Sequence, residues 1–248
     1  MLRDDLSVSD RTLKAVAAVE AAGVPFVIVT GRPVRWLKRA AADLGHRGIA
    51  VAANGALLYD LHTDSVLETF ALAPEIGLAT VRALREAVPG IAFAVERGVQ
   101  FGVEPTYVRH FYDDDALVAP VEELLDAPVL KLLGRHEGYD ADELLARALD
   151  VLGETVTVTH SFGAGLVEIS AVGVSKATTL ARVCAERGIA AHDVIAFGDM
   201  PNDLPLLAWA GHGVAVANAH PEVLAIADEI TFGNDADGVA AVLERWFV

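Results

Sequence analysis

Short unbroken apolar runs alternate along this chain with longer stretches in which apolar residues recur every three or four positions. The first pattern reads as buried strand and the second as amphipathic helix. Leu13, Val16, Ala17 and Ala21 share one face of a helix capped by Ser9 and stopped by Gly23. PFVIVT (25–30) reads as a buried strand, and Pro33 opens a helix that runs to about Leu44 and ends at Gly45. GIAVAA (48–53) is a second strand, closed by the turn pair Asn54-Gly55. The rhythm returns late in the chain: helix 175–187, strand 193–197, helix 202–208, strand 213–217, helix 221–227, strand 229–232 and helix 237–247. Continuous apolar strands with helices between them predict a parallel sheet covered on both faces.

Between 61 and 165 the texture changes. VLETFAL, IAFAVE, VQFGVE, PVLKLLG and ETVTVTH read as strands with helices at 74–87 and 139–152, and several strands follow one another directly. That order predicts an α+β unit with an antiparallel sheet. The expected fold class is therefore α/β: a Rossmann-like core from 1–60 and 166–248, with 61–165 as an inserted unit.

Composition narrows the picture. Hydrophobic residues make up 53% of the 248 residues against 22% charged, which excludes a disordered chain. No apolar stretch reaches the roughly 20 residues of a membrane span, and MLRDDLSVSDRTLK is too charged for a signal peptide. The expectation is a soluble, cytoplasmic protein. The lone Cys184 sits in a helical pattern and reads as a packed thiol. A net charge of −16 argues against nucleic acid and anionic membrane as partners. It also means that a phosphorylated ligand needs a site rebuilt locally from cations and backbone donors. The oligomeric state cannot be read from the sequence.

Ligands of open parallel sheets bind beyond the carboxyl ends of the strands. Those ends carry Thr30, Gly31 and Arg32; Asn54 and Gly55; and Gly198, Asp199, Asn202 and Asp203, with Lys176 opening the helix before strand 193–197. A hydroxyl, backbone N–H groups at a helix start and a lysine make a phosphate cradle, and carboxylates beside it make a Mg²⁺ site. Each piece also has an ordinary reading. Thr30-Gly31-Arg32 and Asn54-Gly55 are turns, Lys176 is a solvated first-turn residue, and Asp199 and Asp203 are helix caps. Asp113 to Asp115 read as a solvated loop, and the eight histidines show no metal-ligand spacing. GAG (163–165) is no dinucleotide fingerprint, and no serine sits in a nucleophile elbow.

Taken together, VTGRP, NGALLYD, GVSKATTL, GDMPNDLPLL, GVAVANAHPEV and NDADGVAAVLERW resemble, in order and spacing, the haloacid dehalogenase superfamily, and within it the Cof-type phosphatases with a class IIB cap. The resemblance covers essentially the whole chain. It implies a Rossmann-like core, a cap over the active site, Mg²⁺, and hydrolysis of small phosphate monoesters such as sugar phosphates. It implies that Thr30 binds the transferring phosphoryl group, Lys176 neutralises its charge, Asp199 ligates Mg²⁺ and Asn202 lies at the phosphate. Asp203 would orient Lys176 or support the metal's ligands from behind. Cap side chains such as Tyr107, Arg109, His110 or Ser161 would face the substrate, although a structural role suits each.

One departure stands out. The family's attacking carboxylate lies in a DxDGT sequence that these residues do not contain, and Asp4 and Asp5 lack both the preceding apolar strand and the following Gly-Thr. The expectation is an N-terminal extension that carries the strand and the motif, with the 248 residues inactive alone. The alternative is a non-catalytic protein that binds a phosphorylated metabolite through Thr30, Lys176 and Asn202. A receiver-type α/β domain is disfavoured by the long insertion.

Overall fold

The computed structural model describes residues 1–43, 45, 48–109, 115–161, 163 and 165–248. Helix α1 (Asp10–Ala21) begins where the Ser9 hydroxyl accepts a hydrogen bond from the backbone N–H of Thr12 at 3.0 Å. It buries Ala15, Val16 and Val19 in a core shared with the last helix. Strand β1 (Ile28–Val29) is much shorter than the apolar run 25–30 predicts, and α2 (Val34–Asp43) follows Pro33 as expected. Strand β2 (Ile49–Ala52) pairs parallel with β1, Ile28 opposite Ala50.

Two strands then depart from the sequence reading. Strand β3 (Leu57–Asp60) was not expected at all, and β4 (Ser65–Thr69), assigned to the inserted unit, pairs antiparallel with β3 and extends the sheet of the core. A tight turn joins them: the Asp60 carboxylate accepts from the backbone N–H groups of His62 and Thr63 at 2.8 and 3.1 Å. The resulting sheet has the order β1-β2-β3-β4.

The chain then builds a second unit from α3 (Pro74–Ala87), β5 (Ala92–Arg97), β6 (Gln100–Val103), β7 (Leu117–Val118), α4 (Val121–Leu124), β8 (Lys131–Arg135), α5 (Ala141–Leu152), β9 (Val156–Thr159) and β10 (Leu166–Ala171). Its six strands run in the order β7-β6-β5-β8-β10-β9, antiparallel except at β6 and β7. Leu84, Phe93, Leu132, Leu144 and Ile169 form its separate core. Strand β10 lies between β8 and β9, so 166–171 belongs to this sheet and not to the core, as the boundary at 166 had placed it.

The return to the core is α6 (Lys176–Glu186), β11 (Ile195–Gly198), α7 (Leu204–Trp209), β12 (His212–Val216), α8 (Pro221–Ile226), β13 (Glu229–Thr231) and α9 (Gly238–Phe247). Cys184 is buried on α6, as read. Strands β11, β12 and β13 form a parallel sheet of their own. The parallel strands of the core thus fall in two sheets, and β1 and β11 are edge strands that line one large cleft of about 2240 Å³. Val27, Val29, Phe197, Leu206 and Val239 make its apolar walls, and the polar residues at the strand ends open into it.

Candidate active site

Chain geometry at the end of β1 fixes the first half of the site. The backbone N–H of Thr30 donates to Val51 of β2 at 2.8 Å, which carries the strand to its last residue. The Thr30 hydroxyl accepts from the backbone N–H of Arg32 at 3.1 Å and so holds the loop in a tight turn. Ala53 and Asn54 follow β2 with φ of 51° and 58°, and Asn54 donates its N–H to the Thr30 carbonyl at 3.1 Å. Asn54 is buried, and its Oδ1 accepts from Nδ2 of Asn202 at 3.0 Å. Gly31 is fitted between these amides: a Cβ there would come within 2.7 Å of Asn54 Oδ1. Two of the buried polar atoms that have no hydrogen-bond partner among the described residues lie here, Nδ2 of Asn54 and Oδ1 of Asn202. A buried donor and a buried acceptor left open side by side are groups that a polar ligand would satisfy.

The second half is built on an ion pair. Ser175 caps α6 in a reciprocal capping box with Thr178, which places Lys176 in the first turn. Lys176 is buried, and its Nζ donates to Oδ1 of buried Asp203 at 2.7 Å. Asp203 is saturated on its other side, where Oδ2 accepts from the N–H groups of Asp199 at 3.0 Å and Met200 at 3.3 Å. The same carboxylate thus positions the lysine and clamps the turn that carries Asp199. Asp199 is open to cleft water but ringed by protein on most sides. Burial first, and the nearby Asp203 second, raise its pKa above the usual carboxylate range, with Lys176 opposing. Arg32, whose pKa burial lowers and Asp199 raises, lies in the same field, as does the buried amino group of Met1.

The six-stranded sheet supplies the facing wall. Lys131 and Glu168 form a buried ion pair, and Lys131 Nζ also donates to the carbonyl of Gly31 at 2.8 Å, joining the two units at the site loop. Burial opposes the charge on Glu168, but Lys131 outweighs it and holds the carboxyl pKa below its ordinary value. Arg35 of α2 grips Glu96 of β5 through two hydrogen bonds of 2.5 and 3.0 Å. Tyr107, Arg109, Arg135 and Ser161 line the same cleft.

Residues 1–243 match the family described as haloacid dehalogenase-like hydrolase. The chain belongs to this family. A 5-amino-6-(5-phospho-D-ribitylamino)uracil phosphatase of Bacillus subtilis is 28% identical, over 99% of this chain and 91% of its own. Among solved structures, a protein of Streptococcus mutans superposes with a TM-score of 0.87 at 20% identity, covering 99% of this chain and 94% of its own. A subclass IIB sugar phosphatase of the haloacid dehalogenase superfamily superposes with a TM-score of 0.82 at 21% identity, covering 97% and 92%.

In this haloacid dehalogenase-like hydrolase Thr30, Gly31, Arg32, Asn54, Lys176, Asp199, Asn202 and Asp203 all line or adjoin one end of the cleft. The structure places Asp203 in hydrogen-bond contact with Lys176. Asp4 and Asp5 lie in an exposed turn before Ser9, bonded to Asn234 and to Ser7. Tyr107, Arg109 and Ser161 face the cleft, whereas His110, Asp113 and Asp114 lie outside the described residues. Sequence reasoning missed Glu96, Lys131, Arg135 and Glu168. Each is a charged residue inside an apolar strand, and a charge in that setting must be paired or used; that was the available signal.

Proposed function

We propose that this chain is the binding and metal-holding part of a Mg²⁺-dependent phosphatase for small phosphate monoesters, sugar phosphates or similar metabolites. The observation that carries the reading is the convergence of a buried lysine, a tethered threonine hydroxyl, an unpartnered amide donor and an open carboxylate at one end of a cleft. The B. subtilis relative, whose name describes a phosphatase of a phosphoribityl compound, and the sugar phosphatase fold both support it.

The donor set suits Mg²⁺, which takes one or two carboxylates and completes its octahedron with water and phosphate oxygens. Asp199 would hold the ion, with the open Oδ1 of Asn202 beside it; Asp203 has no oxygen to spare. When bound, Mg²⁺ neutralises phosphoryl charge as it develops. Lys176 presents a fixed ammonium to the phosphoryl oxygens, Thr30 adds a hydroxyl, and Asn54 Nδ2 is a third donor. The wall of the six-stranded unit excludes water and reads the rest of the substrate.

We assign attack on phosphorus to a further aspartate that enters the cleft between β1 and β11, forming an aspartyl-phosphate that water then cleaves. At the cradle itself, among the described residues, Asp203 is already committed and Asp199 is the metal carboxylate. The test is to titrate the 248-residue chain with glucose 6-phosphate and orthophosphate by calorimetry, with and without Mg²⁺, and to assay phosphate release from a panel of sugar phosphates. Binding that strengthens with Mg²⁺, without turnover, is expected. Turnover would overturn the assignment of attack to an added group, and absence of binding would overturn the cradle. Tight binding indifferent to Mg²⁺ would favour the alternative, a non-catalytic phospho-metabolite binder, which the fully formed cradle also suits.

A further inference from the structure

Outside the residues that line the cleft, Asp142, His160 and His220 come together from three places in the chain, their ligand atoms all within 4.8 Å of one another. No spacing in the sequence announces this, because 18 residues separate the first two and 78 separate Asp142 from His220. Asp142 lies in the first turn of α5, and His160 directly follows β9. His220 is the N-cap of α8, on the other unit. Nε2 of His160 is 2.8 Å from Asp142 Oδ1, and Nε2 of His220 is 3.2 Å from Asp142 Oδ2. The two imidazoles stand edge to face with centroids 5.8 Å apart. Both rings therefore aim the same nitrogen at one carboxylate.

We propose that this triad is a transition-metal site, with Zn²⁺ as the ion its chemistry fits best, and that the ion staples the six-stranded unit to the parallel core. Two imidazole nitrogens and one carboxylate oxygen form the three-ligand protein set of an open tetrahedral zinc centre, with a fourth position left for water. Zinc bonds of about 2.0–2.1 Å put tetrahedral donor atoms roughly 3.3 Å apart, so the three groups must converge by no more than about 1.5 Å. The rings are already oriented. Nδ1 of His220 accepts from the N–H of Glu222, which leaves Nε2 to face the carboxylate. His160 is 1% exposed, and its Nδ1 has no partner among the described residues. Asp142 is well exposed, which gives the ion an entry path. Metal binding would replace the protons between each ring and the carboxylate and release them to solvent. Because the ligands belong to both units, the ion would also fix the position of one unit against the other. The phosphate site uses none of these side chains; the backbone N–H of His220 donates to the carbonyl of Asp199 at 2.8 Å, a main-chain contact that Asp199→Asn keeps.

The test is calorimetric titration of Zn²⁺ into the intact chain under saturating Mg²⁺, beside Asp142→Asn, His220→Asn and Asp199→Asn. Asparagine at 220 keeps a helix cap, and circular dichroism verifies the fold of each variant. One Zn²⁺ per chain is expected, weakened at least roughly tenfold by loss of either ligand and unchanged by Asp199→Asn. Co²⁺ in place of Zn²⁺ should give the visible absorption of a four-coordinate site in the wild type, and that absorption should be absent in His220→Asn. No binding by the wild type, equal affinity in Asp142→Asn and His220→Asn, or loss confined to Asp199→Asn would each overturn the proposal.

Discussion

Asp203 joins three things that are separate in the sequence: the lysine at the start of α6, the turn after β11 and the open carboxylate of Asp199. Replacing it with alanine leaves Lys176 buried with no counter-charge and removes the acceptor of the Asp199 N–H. Breaking a buried pair by deleting one partner costs about 3–5 kcal/mol, and a stranded N–H adds about 1–3 kcal/mol. The expected loss for Asp203→Ala is thus about 4–8 kcal/mol, a fall in Tm of roughly 10–30 °C for a chain of this length. Asp203→Asn keeps one oxygen, which can serve the lysine or the N–H but not both, and should fall between alanine and wild type. Removing both charges with Lys176→Met and Asp203→Leu should recover most of the loss, because replacing a buried pair by apolar groups is often near neutral. Trp36, Trp209 and Trp246 all lie in the core unit, so urea unfolding followed by tryptophan fluorescence reports on the part perturbed. If Asp203→Ala costs less than about 1 kcal/mol, or the double variant loses as much as the two single ones added, the reasoning fails.

Other substitutions probe the rest of the site. Gly31→Ala drives a methyl into the Asn54 amide and should weaken orthophosphate binding by calorimetry and cost about 1–3 kcal/mol of stability. Thr30→Val should weaken it about tenfold, the worth of one hydrogen bond to a charged ligand. The pKa of Glu168 is depressed by folding, so its contribution to stability is complete above the unfolded carboxyl value of about 4.3 and is lost as pH falls through the folded value. Glu168→Gln should therefore lower the urea midpoint at pH 7, and the gap to wild type should narrow in acid; a gap that widens in acid would refute the sign.

Helices were legible in the sequence where their boundaries were chemical: Ser9 caps the start of α1, Gly23 follows its end with a positive φ, and Pro33 precedes α2. Strands were legible where they stood alone. Strand β3 escaped notice because it starts two residues after the Asn54-Gly55 turn and reads as the tail of that turn, and β4 was misassigned because period and propensity do not say which sheet a strand joins. The core half of the site was visible because function collects at strand ends. The facing half was not, because Lys131 and Glu168 are brought together across two antiparallel strands whose register the sequence does not specify.

The contact from Lys131 to Gly31 ends on a main-chain carbonyl. A carbonyl is present whatever residue occupies that position, so the anchor makes no demand on side-chain identity in the site loop. The constraint of this contact falls on Lys131 and on Glu168, which pairs with it. The six-stranded unit can therefore change in sequence elsewhere while Lys131, together with the Arg35–Glu96 and Asp142–His220 contacts, keeps it moored to the loop after β1.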